Sequence, residues 1–213
     1  MGDNAPRAHK VRTFLERKDI VFSAKRYLVD AMGSMALGLF ASLLIGTILS
    51  TVADKLSLAW LKDIASFASQ ATGPSMAVAI GLALKAPPLV LFSLCAVGVG
   101  ANSLGGPLGT LICAVIAAEL GKLVSKETKV DILVTPMVTI VSGLLIARLA
   151  GPGVSAVMTA FGNMIMHATD MHPFFMGIIV SVLVGIALTL PISSAAICAS
   201  FGAAGLIGLA GGA

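Results

Sequence analysis

A lysine inside a long apolar stretch is the strongest chemical signal in this sequence. Lys85 lies within residues 73–92, and Pro87 and Pro88 follow it almost directly. At membrane depth such a residue is costly, because lipid can neither hydrate an ammonium group nor satisfy the carbonyls that prolines leave without donors. The pattern predicts a substrate-binding or gating role for this segment, or a structural role in which the Lys85 ammonium caps the freed carbonyls. A third interpretation places the ammonium at the membrane interface.

A second group of charges lies between two apolar stretches. It comprises Glu119, Lys122, Lys126, Glu127, Lys129 and Asp131. Most of these side chains are expected in a solvated loop. Glu119 and Lys122 differ, because they stand three residues apart while still inside an apolar helix, so they either pair with each other or face a polar cavity.

Polar side chains in the last third of the chain suggest a solute path. His167, Asp170 and His172 flank a proline break, and their spacing matches no common metal-ligand pattern, so we expect a polar lining rather than a metal site. Asn102 and Asn163 supply neutral hydrogen-bonding groups of the kind that suits a sugar. No nucleotide or nucleophile motif is present, so the sequence predicts no catalytic residue and no cofactor.

The composition identifies the environment of these residues. Hydrophobic residues make up 57% of the 213 residues and charged residues only 11%, with a mean hydropathy of +1.01. A soluble domain has roughly 25% charged residues, so this chain is predicted to be an integral membrane protein. Its 23 glycines and scarce aromatics favour closely packed helices over a β-barrel. We therefore expect an all-α, polytopic helical membrane protein.

The basic residues that precede the first apolar span predict its orientation. Seven lysines and arginines lie there: Arg7, Lys10, Arg12, Arg17, Lys18, Lys25 and Arg26. By the positive-inside rule the N-terminus is cytoplasmic, and residues 1–30 form a basic segment that includes an interfacial helix. This run is expected to anchor the chain to lipid headgroups, and no direct contact with nucleic acid is predicted.

The apolar pattern predicts about five or six spans plus re-entrant or broken half-helices. The clearest segments are spans at residues 31–52, 108–124, 132–150 and 174–190, and an interfacial helix at 56–71. In the first span Gly38, Ser42, Gly46 and Ser50 form a stripe of small residues, which predicts a helix-packing face.

Residues 74–101 allow two interpretations. They form either one long crossing or two pieces broken at residues 85–88, and we prefer a re-entrant hairpin of two pieces because it leaves Lys122, Lys126 and Lys129 on the cytoplasmic side. A Gly-Pro pair opens this segment at Gly73, and another at Gly151 predicts a second half-helix. The recurrence hints at an internal repeat of the kind found in transporters.

Four motifs in one order give the chain a resemblance to a known family. They are GLALKAPPL at residues 81–89, GKLVSKETKVDI at 121–132, TP at 135–136 and LPISSAA at 190–196. The chain resembles the IIC-type membrane subunits of the sugar phosphotransferase system, specifically the branch that includes the PfoR-type regulator. The family pattern continues with several more helices, so the chain is expected to be truncated at its C-terminus.

The resemblance implies an EIIC-like transmembrane domain over residues 31–213 in the bacterial inner membrane. It implies a homodimer that binds a sugar or related small polar solute, with membrane lipid and soluble phosphotransferase proteins as its other partners. Phosphotransfer would need those proteins, because the sequence holds no phosphoacceptor domain. We expect transport by alternating access. The alternative is a membrane-embedded sensor or regulator of the PfoR type that keeps the fold without transporting.

Overall fold

The computed structural model describes residues 17–20, 23–127, 129–169 and 181, and every regular element in them is helical. We number the helices α1 (Lys25–Leu56), α2 (Ala59–Gln70), α3 (Thr72–Ala83), α4 (Pro88–Val124) and α5 (Asp131–Thr169). In this part of the chain α1, α4 and the Asp131–Val157 portion of α5 are long and apolar enough to cross a membrane. The predicted all-α membrane fold is confirmed.

Helix α4 reverses its direction at a glycine. Gly106 has φ 62° and ψ −160°, a conformation that is essentially restricted to glycine, and Pro107 follows it. The two arms, residues 88–105 (α4a) and 107–124 (α4b), lie antiparallel, since a methyl group added at Gly121 would lie 2.9 Å from Val90. Each arm rises roughly 27 Å at 1.5 Å per residue, close to the hydrocarbon thickness of a bilayer. The turn lies within the polar segment 102–107 that separates two predicted spans.

Helix α3 packs antiparallel against α4a through glycines. A methyl group on Gly73 would lie 2.9 Å from the Cβ atom of Asn102, and one on Gly81 would lie 2.5 Å from a methyl carbon of Leu94. The chain therefore reverses direction between residues 84 and 87, so the interpretation of residues 74–101 as one crossing is wrong. The interpretation as two helices separated by a break is correct. That this hairpin enters the membrane as a re-entrant element stays a prediction.

The stripe of small residues on α1 is a packing face, as predicted. Gly38 faces the backbone of Ser75 and Met76 in α3, and Gly46 faces Ala65 in α2, at separations that leave no room for a side chain. Ser42 between them is buried and donates to the Gly38 carbonyl. The predicted segment 56–71 forms helix α2, which lies antiparallel along the second half of α1; its position in the membrane interface stays a prediction.

Helix α5 runs past a predicted break. A new half-helix was expected to begin at Gly151-Pro152, but α5 continues through it to Thr169. Proline removes one amide donor, and a membrane-type helix tolerates this loss where neighbouring groups compensate. Gly151 allows the close approach here, because a methyl group on it would lie 3.0 Å from the Cβ atom of Leu104. Apart from residue 181, the predicted span at 174–190 lies outside the described residues.

The core lies where α3, both arms of α4 and the first half of α1 meet. Its fully buried members include Met76, Ile80, Val90, Leu94, Val97, Ala114, Ala117 and Ala118. Many are small, so the helix axes approach closely. One end of this bundle, where α1 begins, α3 ends and α4b ends, carries most of the charged side chains that the structure describes. We call it the charged end.

Candidate functional site at the charged end

The break between α3 and α4 is a regular helix termination. The amide of Lys85 donates to the Leu82 carbonyl at 3.0 Å, and the amide of Ala86 donates to the Gly81 carbonyl at 2.9 Å. These two bonds form a Schellman motif, whose central residue normally is a glycine with positive φ. Lys85 holds this position with φ 54°. The reversal is therefore fixed by backbone hydrogen bonds, and Pro88 then begins α4a at a position where a missing amide costs little.

One carbonyl at this break receives two charged donors from other helices. In a continuous helix the amide of residue 88 would donate to the Leu84 carbonyl, but Pro88 has none. Arg26 of α1 donates to that oxygen at 2.7 Å, and the Lys122 ammonium of α4b donates to it at 3.0 Å. The carbonyl freed by the proline is thus satisfied by cations, and the break is joined to both α1 and α4b.

Lys122 is the buried cation of the described structure. Its side chain is 2% exposed, and its Nζ atom lies 3.2 Å from Oε2 of Glu119, so the structure shows pairing, one of the two predicted alternatives. The Tyr27 hydroxyl donates to the other carboxylate oxygen of Glu119 at 3.2 Å. Within the described residues Oε2 makes no hydrogen bond, although the Lys122 ammonium is in ion-pair contact with it. A buried oxygen in this state favours a further donor.

The segment before α1 folds across this end. The backbone carbonyl of Asp19 accepts from Lys122 at 2.8 Å, and its carboxylate accepts from Arg26 at 2.8 Å. The hydrogen bond from Arg26 lowers the pKa of Asp19 despite the opposing effect of desolvation, and nearby positive charges lower it further. Asp19 has φ 53°, which turns the chain sharply before α1.

A second set of contacts joins this segment to the loop between α4 and α5. Lys18 lies 2.7 Å and Arg17 lies 2.9 Å from the Glu127 carboxylate, and Lys18 also donates to the Ser125 carbonyl. The hydrogen bond from Lys18 is the main cause that lowers the pKa of Glu127. The N-terminal segment therefore connects α1, the break and the α4–α5 loop electrostatically.

The side chain of Lys85 is exposed on the surface of the described structure. Its side chain is 77% exposed, and its ammonium is 3.9 Å from the Asp19 carboxylate. The interpretation in which the Lys85 ammonium caps the carbonyls freed by the prolines is wrong for the described structure, while its substrate-binding or gating role and its interfacial position stay predictions. Lys85 ends α3 in a left-handed conformation with its side chain on the exposed surface, and the Leu84 carbonyl is capped by Lys122 and Arg26 instead.

The predicted site residues fall into separate groups. Lys85, Pro87, Pro88, Glu119 and Lys122 meet at the charged end. Asn102 lies near the opposite end of α4a, roughly 21 Å along the helix from Pro88 at 1.5 Å per residue, so one small solute cannot contact both Asn102 and Lys85.

The remaining predicted residues follow in or after α5. Asn163 and His167 belong to α5, but their side chains are not described, and His172 lies outside the described residues. Within the described part of the chain, no three histidine, cysteine or acidic side chains are placed to hold a metal ion.

Three contributors to the charged end were not predicted from the sequence as parts of a site. Asp19 and Arg26 belong to the basic segment for which the sequence predicts lipid anchoring, and no sequence motif includes Tyr27. A signal was available, because the carbonyl freed by Pro88 requires a donor and the sequence near the start of α1 is rich in cations. Only the fold shows which cation reaches it.

Comparisons with known proteins address the family. A family model described as "Phosphotransferase system, EIIC" matches residues 29–213. No match is found among curated proteins or among solved structures. The matched region begins within the first turns of α1 and contains every element described above from that point on.

Proposed function

This chain belongs to the phosphotransferase system EIIC family, and we propose that it carries a sugar across the membrane by alternating access. The observation that carries this proposal is the family match over residues 29–213. Membership of the family supports the general conclusion that the chain is a sugar-transport membrane domain of the phosphotransferase type. The substrate side chains, the movement and the oligomeric state are the parts that we propose.

We propose that the charged end contains the gate. The Leu84 carbonyl takes donors from α1 and α4b at once, so a displacement of either helix relative to the α3–α4 break must lengthen a charged hydrogen bond. Such bonds contribute about 1.5 to 3 kcal/mol each, enough to make two arrangements of the helices distinct. In this proposal Lys122 and Arg26 hold the described state.

We assign a substrate-binding role to Glu119. Its Oε2 atom is buried beside Lys122 and lacks a well-directed donor. A sugar hydroxyl is such a donor, and a carboxylate is the acceptor that binds hydroxyl groups most strongly. Opening of the break would admit the hydroxyl, so binding and gating share one network. Asn102 is proposed to act separately at the opposite end, and Asn163, His167 and His172 stay proposed as polar lining.

The test is sugar uptake into vesicles that contain the full-length protein, with the soluble phosphotransferase proteins and a phosphoryl donor enclosed. We expect at least one labelled sugar to accumulate as its phosphate. Glu119→Gln should lower uptake by about 10- to 100-fold, the loss expected for a hydrogen bond to a charged group. Asp63→Asn is the matched control, because Asp63 is an exposed acid on α2.

The outcomes separate transport from regulation. Uptake by the native protein and its loss in Glu119→Gln, with unchanged elution from a sizing column, supports the proposal. Sugar binding without uptake would favour the membrane-embedded regulator, including the PfoR-type branch. Absence of both binding and uptake across a broad panel of sugars would overturn the assignment.

Orientation and assembly complete the proposal. We propose that the charged end faces the cytoplasm, because it holds a cluster of basic residues: Arg17, Lys18, Lys25, Arg26, Lys122, Lys126 and Lys129. We also propose a homodimer in the bacterial inner membrane, on the ground of the family resemblance. Labelling of Lys129→Cys from either side of sealed vesicles tests the orientation, and the mass of the detergent-solubilised protein tests the dimer.

A further inference from the structure

A shallow basic depression opens beside the α3–α4 break. Its volume is about 280 Å³, and it is lined by Ser23, Lys25, Arg26, Asp30, Ala83 and Lys85. We propose that this depression binds a phosphate group, supplied either by a lipid headgroup or by a small free phosphate ester. The inference does not depend on the proposed transport function.

The charge of the lining favours an anion. Lys25, Arg26 and Lys85 bring three positive charges to the depression, against one negative charge from Asp30. Lys25 forms no ion pair with any residue that the structure describes, and the nearest acid to the Lys85 ammonium is Asp19, 3.9 Å away. The ammonium groups of Lys25 and Lys85 therefore interact at most weakly with acidic side chains of the described residues.

Arg26 lines the depression with a guanidinium group that is held in place by hydrogen bonds. Its guanidinium is held by Asp19 at 2.8 Å and by the Leu84 carbonyl at 2.7 Å, both through the same nitrogen. A guanidinium carries five donors in a rigid planar fork, so this anchoring leaves others for a ligand. An oriented guanidinium beside the exposed ammonium groups of Lys25 and Lys85 is an arrangement that binds phosphate.

Position and size narrow the ligand class. The depression lies at the start of α1 and next to the end of α3, on the surface of a membrane protein rather than in its core. Cations there meet the phosphates of lipid headgroups, each gaining about 1 kcal/mol near an anionic surface. Pockets for drug-sized ligands occupy about 300 to 1,000 Å³, so this volume suits a single headgroup or a small phosphate ester.

The decisive experiment is calorimetric titration of the full-length protein in a neutral detergent. Two probes are compared: dioctanoyl phosphatidylglycerol and inorganic phosphate. The variant Lys25→Gln/Lys85→Gln should weaken binding about 25-fold, which is fivefold for each surface cation. Asp30→Asn should tighten it about fivefold by removing the opposing carboxylate. Lys129→Gln removes the same charge from the same end, outside the depression, and should leave the affinity within twofold.

Each result has a defined meaning. Binding of the lipid alone assigns the site to a headgroup, and binding of inorganic phosphate assigns it to free phosphate; either supports the proposal if the double variant weakens it. If neither probe binds, or if binding is insensitive to both the double variant and Asp30→Asn, the proposal is wrong. The double variant should weaken binding and Asp30→Asn should tighten it. The test therefore stays valid if one of these variants folds poorly.

Discussion

The Lys122 ammonium lies 3.0 Å from the carbonyl oxygen of Leu84, a residue 38 positions earlier in the chain. Arg26 donates to the same oxygen at 2.7 Å. This oxygen is the acceptor that would lose its partner when Pro88 replaces an amide-bearing residue. A break that is local in sequence is thus stabilised by side chains that are distant in sequence, and the stability of the charged end depends on them.

Lys85 is predicted to matter for backbone conformation at the break. Because it has φ 54°, Lys85→Gly should retain the fold and gain up to about 1 kcal/mol of unfolding free energy. Lys85→Val should lose about 1 to 2 kcal/mol, since a β-branched residue is poorly suited to the left-handed region. Thermal unfolding in detergent micelles measures both. A glycine variant less stable than the valine variant would refute the assigned conformation.

Close packing of α3 on α4a predicts a large effect of a single methyl group. Gly73→Ala would place its Cβ atom against the Gly98 carbonyl and 2.9 Å from the Cβ atom of Asn102, so we expect a loss of about 1 to 3 kcal/mol. Gly33→Ala is the control on α1, because nothing lies within 4 Å of the added methyl group. Denaturant titration compares them, and equal stability of the two variants would count against this helix pairing.

Asp19 gives the charged end a predictable dependence on pH. Hydrogen bonding from Arg26 lowers its pKa in the folded state, so its contribution to stability is present above the unfolded pKa of about 4 and is lost as the pH falls through the lower folded value. Asp19→Asn should therefore unfold at a lower temperature than the native protein at pH 7. The difference should shrink below about pH 4. A difference that stays constant down to pH 3 would show that the carboxylate contributes nothing.

Much of the fold follows from local sequence signals. Gly38, Ser42 and Gly46 recur every fourth residue and form a packing face in the structure, and the break before Pro87 falls where the prolines require it. These features depend on the size of the side chains and on the amide hydrogens that proline lacks, and both can be read directly from the sequence. The helix bounds were less predictable, because α1 extends beyond its predicted span at both ends and α5 extends well beyond the C-terminal end of its predicted span.

The composition of the site was not predictable in the same way. Lys85 was the conspicuous cation, yet Lys122 reaches the carbonyl of Leu84, because the fold at Gly106 brings α4b back beside the start of α4a. The contact between Asp19 and Arg26 likewise depends on a chain turn before α1 that no periodic pattern indicates. At Pro152 α5 continues as a helix where Gly151 closely approaches Leu104, which also lies far away in sequence.

The most direct measurement of the central claim compares the unfolding free energies of Lys122→Met and Lys85→Met in detergent micelles. The structure predicts that Lys122→Met loses about 3 to 5 kcal/mol, since it leaves the Glu119 carboxylate buried without a cation. Adding Glu119→Gln to it should restore part of the loss, and Lys85→Met should change stability by less than about 0.5 kcal/mol. A larger loss at Lys85 than at Lys122 would contradict the assignment of the buried cation.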